Sequence, residues 1–143
     1  MKFFVAVFLL IGILFHHCQA AAYTADNYRD FRQKCSKILG TSAEIMQQIE
    51  GTKDYTSDDR ELHCLVRCVG ILSEFYDDET GTNWDLVAQQ VEGKSGFEEH
   101  RQATTECVQA LPAEEVQSDV CRKSYLSFHC AMKSAKQHIK DKN

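Results

Sequence analysis

The spacing of its cysteines constrains this chain more than any other feature. The 143 residues carry seven: Cys18, Cys35, Cys64, Cys68, Cys107, Cys121 and Cys130. Between the last six lie 28, 3, 38, 13 and 8 residues. On a helix, Cys64 and Cys68 stand at i and i+4, so they share a face and point toward partners elsewhere rather than at each other. Cys121 and Cys130 would be about 13.5 Å apart along a continuous helix axis, beyond the reach of a disulfide. Excluding both pairs reduces the roughly fifteen ways of joining six cysteines to about ten. Each of these ties the Cys64 to Cys68 segment by two bonds to other parts of the chain.

Cys18 falls in a segment with a different purpose. Lys2 precedes an uncharged apolar run from Phe3 to Phe15, followed by Cys18-Gln19-Ala20 with small residues where a signal peptidase reads. The run is well short of the ~20 residues that cross a bilayer. We therefore read residues 1–20 as a secretory signal cleaved after Ala20, and 21–143 as a single helical domain released to the extracellular space. Cleavage removes Lys2 and Cys18, leaving six cysteines and fifteen basic against twenty-one acidic residues, formally −6. An even cysteine set in an oxidising compartment means three disulfides rather than metal sites or reactive thiols. Each bridge over some thirty residues or more contributes about 3 to 4 kcal/mol, and a covalently stapled domain can leave its middle unfilled.

The rest of the pattern is helical. Glycine and proline fall between periodic stretches, Gly70 excepted, and strand-like alternation is missing. The first helix is expected over 25–39, between Thr24 as cap and Gly40 as stop. A second opens with Thr41 and Glu44 in capping-box spacing and ends at Gly51. A third runs from Thr56 or Ser57 to Tyr76, and Asp77 to Asn83 form a turn. A fourth carries Trp84, Val87, Ala88 and Val91 at helical spacing. A fifth runs over 97–111, closed by Pro112, and a sixth from Ser118 or Asp119 toward Ile139.

With these elements in place, the order of one Cys, Cys64-x3-Cys68, one Cys and Cys121-x8-Cys130 resembles the six-cysteine insect odorant-binding proteins, the pheromone and general odorant-binding family. The stretch Leu62-His63-Cys64-Leu65-Val66-Arg67-Cys68 and the helix ending in Tyr76-Asp77-Asp78 are similar to fly and mosquito members. The resemblance covers the whole chain after the signal. It implies an all-α, six-helix box around an apolar cavity, with interlocked disulfides Cys35 to Cys68, Cys64 to Cys121 and Cys107 to Cys130. It implies too a carrier of small hydrophobic ligands, odorant or pheromone-like, with no enzymatic activity and no cofactor. Some family members end in an apolar segment that folds over the cavity. Here only Ile139 could plug anything, and 133–143 read as a solvated, basic last turn.

Side chains at helical spacing furnish the candidate ligand contacts: Tyr28, Phe31, Leu65, Val69, Leu72, Tyr76, Trp84, Val87, Val91, Phe97, Tyr125, Phe128 and Met132. Apolar pockets are lined mainly by such residues, with a few placed polar groups that orient the ligand. The hydroxyls of Tyr28, Tyr76 and Tyr125 are the candidates for that task. His63, His100, His129 and His138 are candidates for acid-triggered release, histidine being the residue type that switches charge near neutrality, but are expected at the surface.

Other classes are excluded or ranked lower. An acidic balance argues against nucleic acid as a partner. Asp77, Glu79, Gly81 and Asn83 do not line up as an EF-hand loop, no metal site is expected, and neither Gly-x-Ser-x-Gly nor His-Glu-x-x-His occurs. No stable membrane insertion is expected. A second copy of the chain and a chemosensory receptor are the candidate macromolecular partners. Two alternatives compete with the carrier: a scavenger of host amines or lipid mediators, and a solid-cored interaction protein. An acid inside the pocket would favour the scavenger, and Glu74 is the nearest candidate.

Overall fold

The computed structural model describes residues 23–52 and 57–142. The expected secretory signal lies outside the described residues. Within them the chain forms α1 (Ala25–Leu39), α2 (Ala43–Thr52), α3 (Arg60–Leu72), α4 (Trp84–Gln90), α5 (Phe97–Gln109), α6 (Ala113–Gln117) and α7 (Val120–His138). Two antiparallel pairs of two-residue strands complete it: β1 (Tyr76–Asp77) with β2 (Gly81–Thr82), and β3 (Lys94–Ser95) with β4 (Lys140–Asp141). The all-α box is therefore present, with short α6 added to the six expected helices directly after Pro112.

Local chemistry sets the ends of these helices. Thr24 and Asn27 form a reciprocal capping box at the start of α1, and Gly40 closes it in the left-handed region at φ 66°. The start of α2 corrects the expectation of a Thr41 cap. Ser42 Oγ accepts from the Ile45 N–H at 3.4 Å, the Ser42 N–H donates to Glu61 on α3, and the Thr41 hydroxyl is buried without a partner. Asp59 caps α3 through the Glu61 N–H, and Asp119 caps α7 through the Cys121 and Arg122 N–H groups.

The third helix is shorter than its apolar stripe suggested, ending at Leu72 instead of Tyr76. Ser73 Oγ donates to the Val69 carbonyl at 2.6 Å, competing with continued helix, and Glu74 adopts φ 61°. The chain then reverses into the β1–β2 hairpin, where the Asp77 carboxylate accepts from the Glu79 and Thr80 N–H groups at 2.9 Å each. Arg67 on α3 holds the neighbouring Asp78 carboxylate side-on, donating from Nε to one oxygen and from Nη2 to the other. Gly70 lets the hairpin seat on α3, since a Cβ there would come within 3.0 Å of Tyr76 Cβ.

The three disulfides join Cys35 to Cys68, Cys64 to Cys121 and Cys107 to Cys130. This is the pairing implied by the resemblance and one of those left open by spacing. It ties α1 to α3, α3 to α7 and α5 to α7. Around the first bond lies the buried core of Ile45, Ile49, Leu62, Leu65 and Tyr125. The final helix ends in the basic, solvated turn expected, with Lys136 exposed in it, but the tail beyond it is not simply free. After His138 the chain pairs as β4 with β3, and Gly96, at φ 86°, lies so close to the His138 carbonyl that a Cβ would stand 2.0 Å from its oxygen.

Candidate ligand cavity

Helices α1 and α7 each pack extensively on α3 but little on each other. The space between them is a cavity of about 1570 Å³. From α3 come Leu65, Val66, Val69 and Gly70, and α1 contributes Tyr28, Arg29, Arg32 and Gln33. Ser124, Ser127, Phe128 and Ala131 face it from α7. Phe75 and Tyr76 at the hairpin, Val87 on α4 and Ile49 on α2 also line it.

Of the side chains singled out from the sequence, Tyr28, Leu65, Val69, Tyr76, Val87, Phe128 and Met132 surround this cavity. The others lie outside its lining. Phe31 packs edge-on to Tyr23 at 5.4 Å between ring centres, and Tyr23 in turn meets Phe75 at 5.7 Å, so Phe31 stands behind the wall. Trp84 meets Phe97 at 6.4 Å and His100 at 5.6 Å. Val91 is the half-buried C-cap of α4, and Leu72 is 41% exposed at the end of α3. Tyr125 is in the core, where its hydroxyl accepts from the Ser57 N–H at 2.9 Å and its ring stacks on His63 at 3.9 Å.

The tyrosine hydroxyls thus differ. That of Tyr125 is engaged by backbone, whereas the Tyr76 hydroxyl is buried with no hydrogen-bond partner. Burial raises the pKa of Tyr76 above its ordinary value, and burial together with nearby Tyr23 does the same to Tyr28. Both phenols stay neutral and able to donate.

Two histidines depart from the expected surface position. His63 is 2% exposed, with Nε2 2.8 Å from the Ser57 carbonyl oxygen. His100 is 4% exposed, with Nδ1 3.0 Å from Ser134 Oγ on α7. Burial first, and then His138, push the His100 pKa below its ordinary value. Hydrogen-bond partners inside the box make these rings structural. His129 is half-buried in the cavity lining, and Glu74, the acid considered from the sequence, is exposed outside it.

The lining also carries charge that apolar periodicity does not signal. Arg29 and Arg32 from α1 and Lys133 and Lys136 from α7 stand against one carboxylate, Glu50 of α2. Arg29 is paired with Asp26 at 3.0 Å, while Arg32 Nε is buried without a hydrogen-bond partner. In the sequence these cations look like ordinary solvated helix faces. The available signal was register: Arg32 follows Tyr28 by four residues, on the same face of α1. Ser124 and Ser127 escaped for the complementary reason, because small polar residues at i and i+3 interrupt an apolar stripe that runs on through Phe128 and Ala131.

Among the described residues no group of three or more His, Cys, Asp or Glu is placed to hold a metal, and no helix is long and apolar enough to cross a membrane. The described residues thus form a disulfide-stapled helical box around a half-open, largely apolar cavity. The chain belongs to the PBP/GOBP family, whose model matches residues 19–134. It is 26% identical over 137 residues to general odorant-binding protein 99a of Drosophila melanogaster, covering 93% of this chain and 90% of the fly protein. Its fold is similar to the crystal structure of Anopheles gambiae odorant-binding protein 22a. The TM-score is 0.56 at 20% identity, over 76% of this chain and 99% of the mosquito chain. A structure of that mosquito protein with bound odorant cyclohexanone matches with the same TM-score, 0.56, and identity, 20%, over 76% of this chain and 91% of the other.

Proposed function

We propose that this protein is a secreted, non-enzymatic carrier that takes up small hydrophobic molecules between α1, α3 and α7 and keeps them in solution. The observation that carries the reading is the cavity itself. At about 1570 Å³ it exceeds the roughly 300–1,000 Å³ typical of small-molecule sites, so it has room for an odorant-sized ligand and accompanying water. Leu65, Val69, Phe75, Val87 and Phe128 offer apolar surface to such a ligand, each buried CH2 contributing about 0.8 kcal/mol. The Tyr76 hydroxyl is positioned to donate to a ligand oxygen, relieving its unpartnered burial. The binding of cyclohexanone by the mosquito relative is consistent with a ligand of this size and polarity. A solid-cored interaction protein would have no use for such a space.

Titration of the oxidised, delipidated protein with a fluorescent naphthylamine tests the proposal, followed by displacement with volatile alcohols, aldehydes, ketones and esters. Saturable micromolar binding, reversed by neutral volatiles, is the expected result. Absence of saturable binding in a folded, fully disulfide-bonded sample overturns it.

A further inference from the structure

The cavity mouth carries the opposite charge to the rest of the molecule. The full chain is formally −5, with twenty-one acidic against sixteen basic residues. Yet the cavity lining holds four cationic side chains and a single carboxylate, Glu50. These charges stand at two walls: Arg29 and Arg32 are one turn of α1 apart, and Lys133 and Lys136 one turn of α7 apart. Chance placement of solvated residues in an acidic protein would favour the reverse sign.

Arg32 gives the arrangement its direction. Arg29 already has Asp26 at 3.0 Å, and both of these side chains are largely exposed. Arg32 is half-buried, has no ion pair among the described residues, and leaves Nε buried with no hydrogen-bond acceptor. An unmatched guanidinium donor costs free energy until an acceptor reaches it. The planar fork fits a carboxylate with two parallel hydrogen bonds, which neither an alcohol nor a ketone can supply. Beyond Arg32 on the same helix face lies Tyr28, and beyond that the apolar lining of Phe75, Tyr76 and Val87.

We infer that the preferred ligand is a single-chain carboxylate amphiphile whose head is held by Arg32, with Lys136 screening it from across the cavity, and whose tail lies along Leu65, Val69 and Phe128. This rests on the carrier reading above and names its ligand class. Glu50 is the one carboxylate in the lining and the group there that opposes the anion.

The test compares dodecanoate with 1-dodecanol as displacers of the bound naphthylamine at pH 7.4, kept below their aggregation limits, using the full oxidised protein. Dodecanoate is expected to displace the probe at about tenfold lower concentration than the alcohol, in keeping with a charge-assisted bidentate pair. Arg32→Gln should remove that preference, raising the dodecanoate concentration needed for displacement to about that of dodecanol. Arg32→Lys should restore part of it. Should Arg32→Gln lose its helical circular dichroism, Lys136→Gln serves as the second variant, expected to weaken dodecanoate alone by two- to fivefold. Equal displacement by acid and alcohol, or loss of both ligands together in a folded variant, overturns the carboxylate assignment while leaving the carrier intact. Failure of the probe itself to bind overturns the carrier reading, and the assignment with it.

Discussion

Removing disulfides one at a time should separate the stability of this protein from its ability to bind. Consider two double variants, Cys35→Ala with Cys68→Ala and Cys107→Ala with Cys130→Ala. The bonds close sequence separations of 33 and 23 residues, so the chain-entropy relation assigns them about 3.7 and about 3.4 kcal/mol. The interlocked pairing leaves no shorter covalent path for either, and the two losses should lie within about 1 kcal/mol of each other. Binding should respond quite differently. The first pair fastens α1, and with it Tyr28 and Arg32, to α3. The second fastens α5, none of whose residues lines the cavity, to α7, on which α5 also packs extensively.

Re-ordering a loosened α1 wall around a ligand costs about 0.5–1.5 kcal/mol per immobilised side chain. Affinity of the first variant should therefore fall about tenfold, while the second stays within twofold of the parent. Urea unfolding followed by circular dichroism measures the stabilities. Naphthylamine titration at about 15 °C, near the usual stability maximum, measures binding while both variants are folded. Equal affinities in the two variants, or a larger loss in the α5 variant, would refute the argument that α1 is a cavity wall held by its bond to α3.

Two further predictions concern the far end of the box. Because its folded pKa lies below the ordinary 6.5, His100 leaves the unfolded chain binding more protons, so stability rises with pH. Its contribution is complete above about 6.5 and is lost as acidification approaches the lowered folded value; His100→Gln should show a flatter melting temperature between about pH 7.5 and 5, and an unchanged slope would refute this. Gly96→Ala forces a Cβ against the His138 carbonyl at a positive φ, a strain of about 1–3 kcal/mol. It should lower the melting temperature and speed hydrogen exchange in β3 and β4, and unchanged exchange there would mean that the tail is not held by this contact.

How far the sequence reached depended on whether a structural cue was local. Thr24 and Gly40 bracket α1 as expected because cap and stop each act within one turn. The end of α3 was not legible, since no glycine or proline marks it. A serine hydroxyl returning to Val69 and a left-handed Glu74 do so instead, and Tyr76 beyond them packs on Gly70. The tail strand needed knowledge that Lys94 and Asp141 would meet across the fold. At the cavity, apolar periodicity located Leu65, Val69 and Phe128, whereas Arg32 and Lys136 look like any solvated cation until α1 and α7 are placed on α3. Burial of His63 and His100 was hidden similarly, because their partners Ser57 and Ser134 carry no periodic signal.

The crossed arrangement of the sulfurs also dictates how the protein must be made. Neither Cys64 nor Cys68 bonds within α3, and their partners lie 57 and 33 residues away in opposite directions along the chain. Before α3 coils, these two neighbours are the closest pair of thiols in the chain and the easiest to join wrongly. Once it coils, they turn to α7 and α1 and that mistake is suppressed. Helix formation ahead of oxidation therefore favours the native pairing. A thiol–disulfide shuffling environment that lets early errors exchange should yield far more native protein than rapid oxidation of the extended chain.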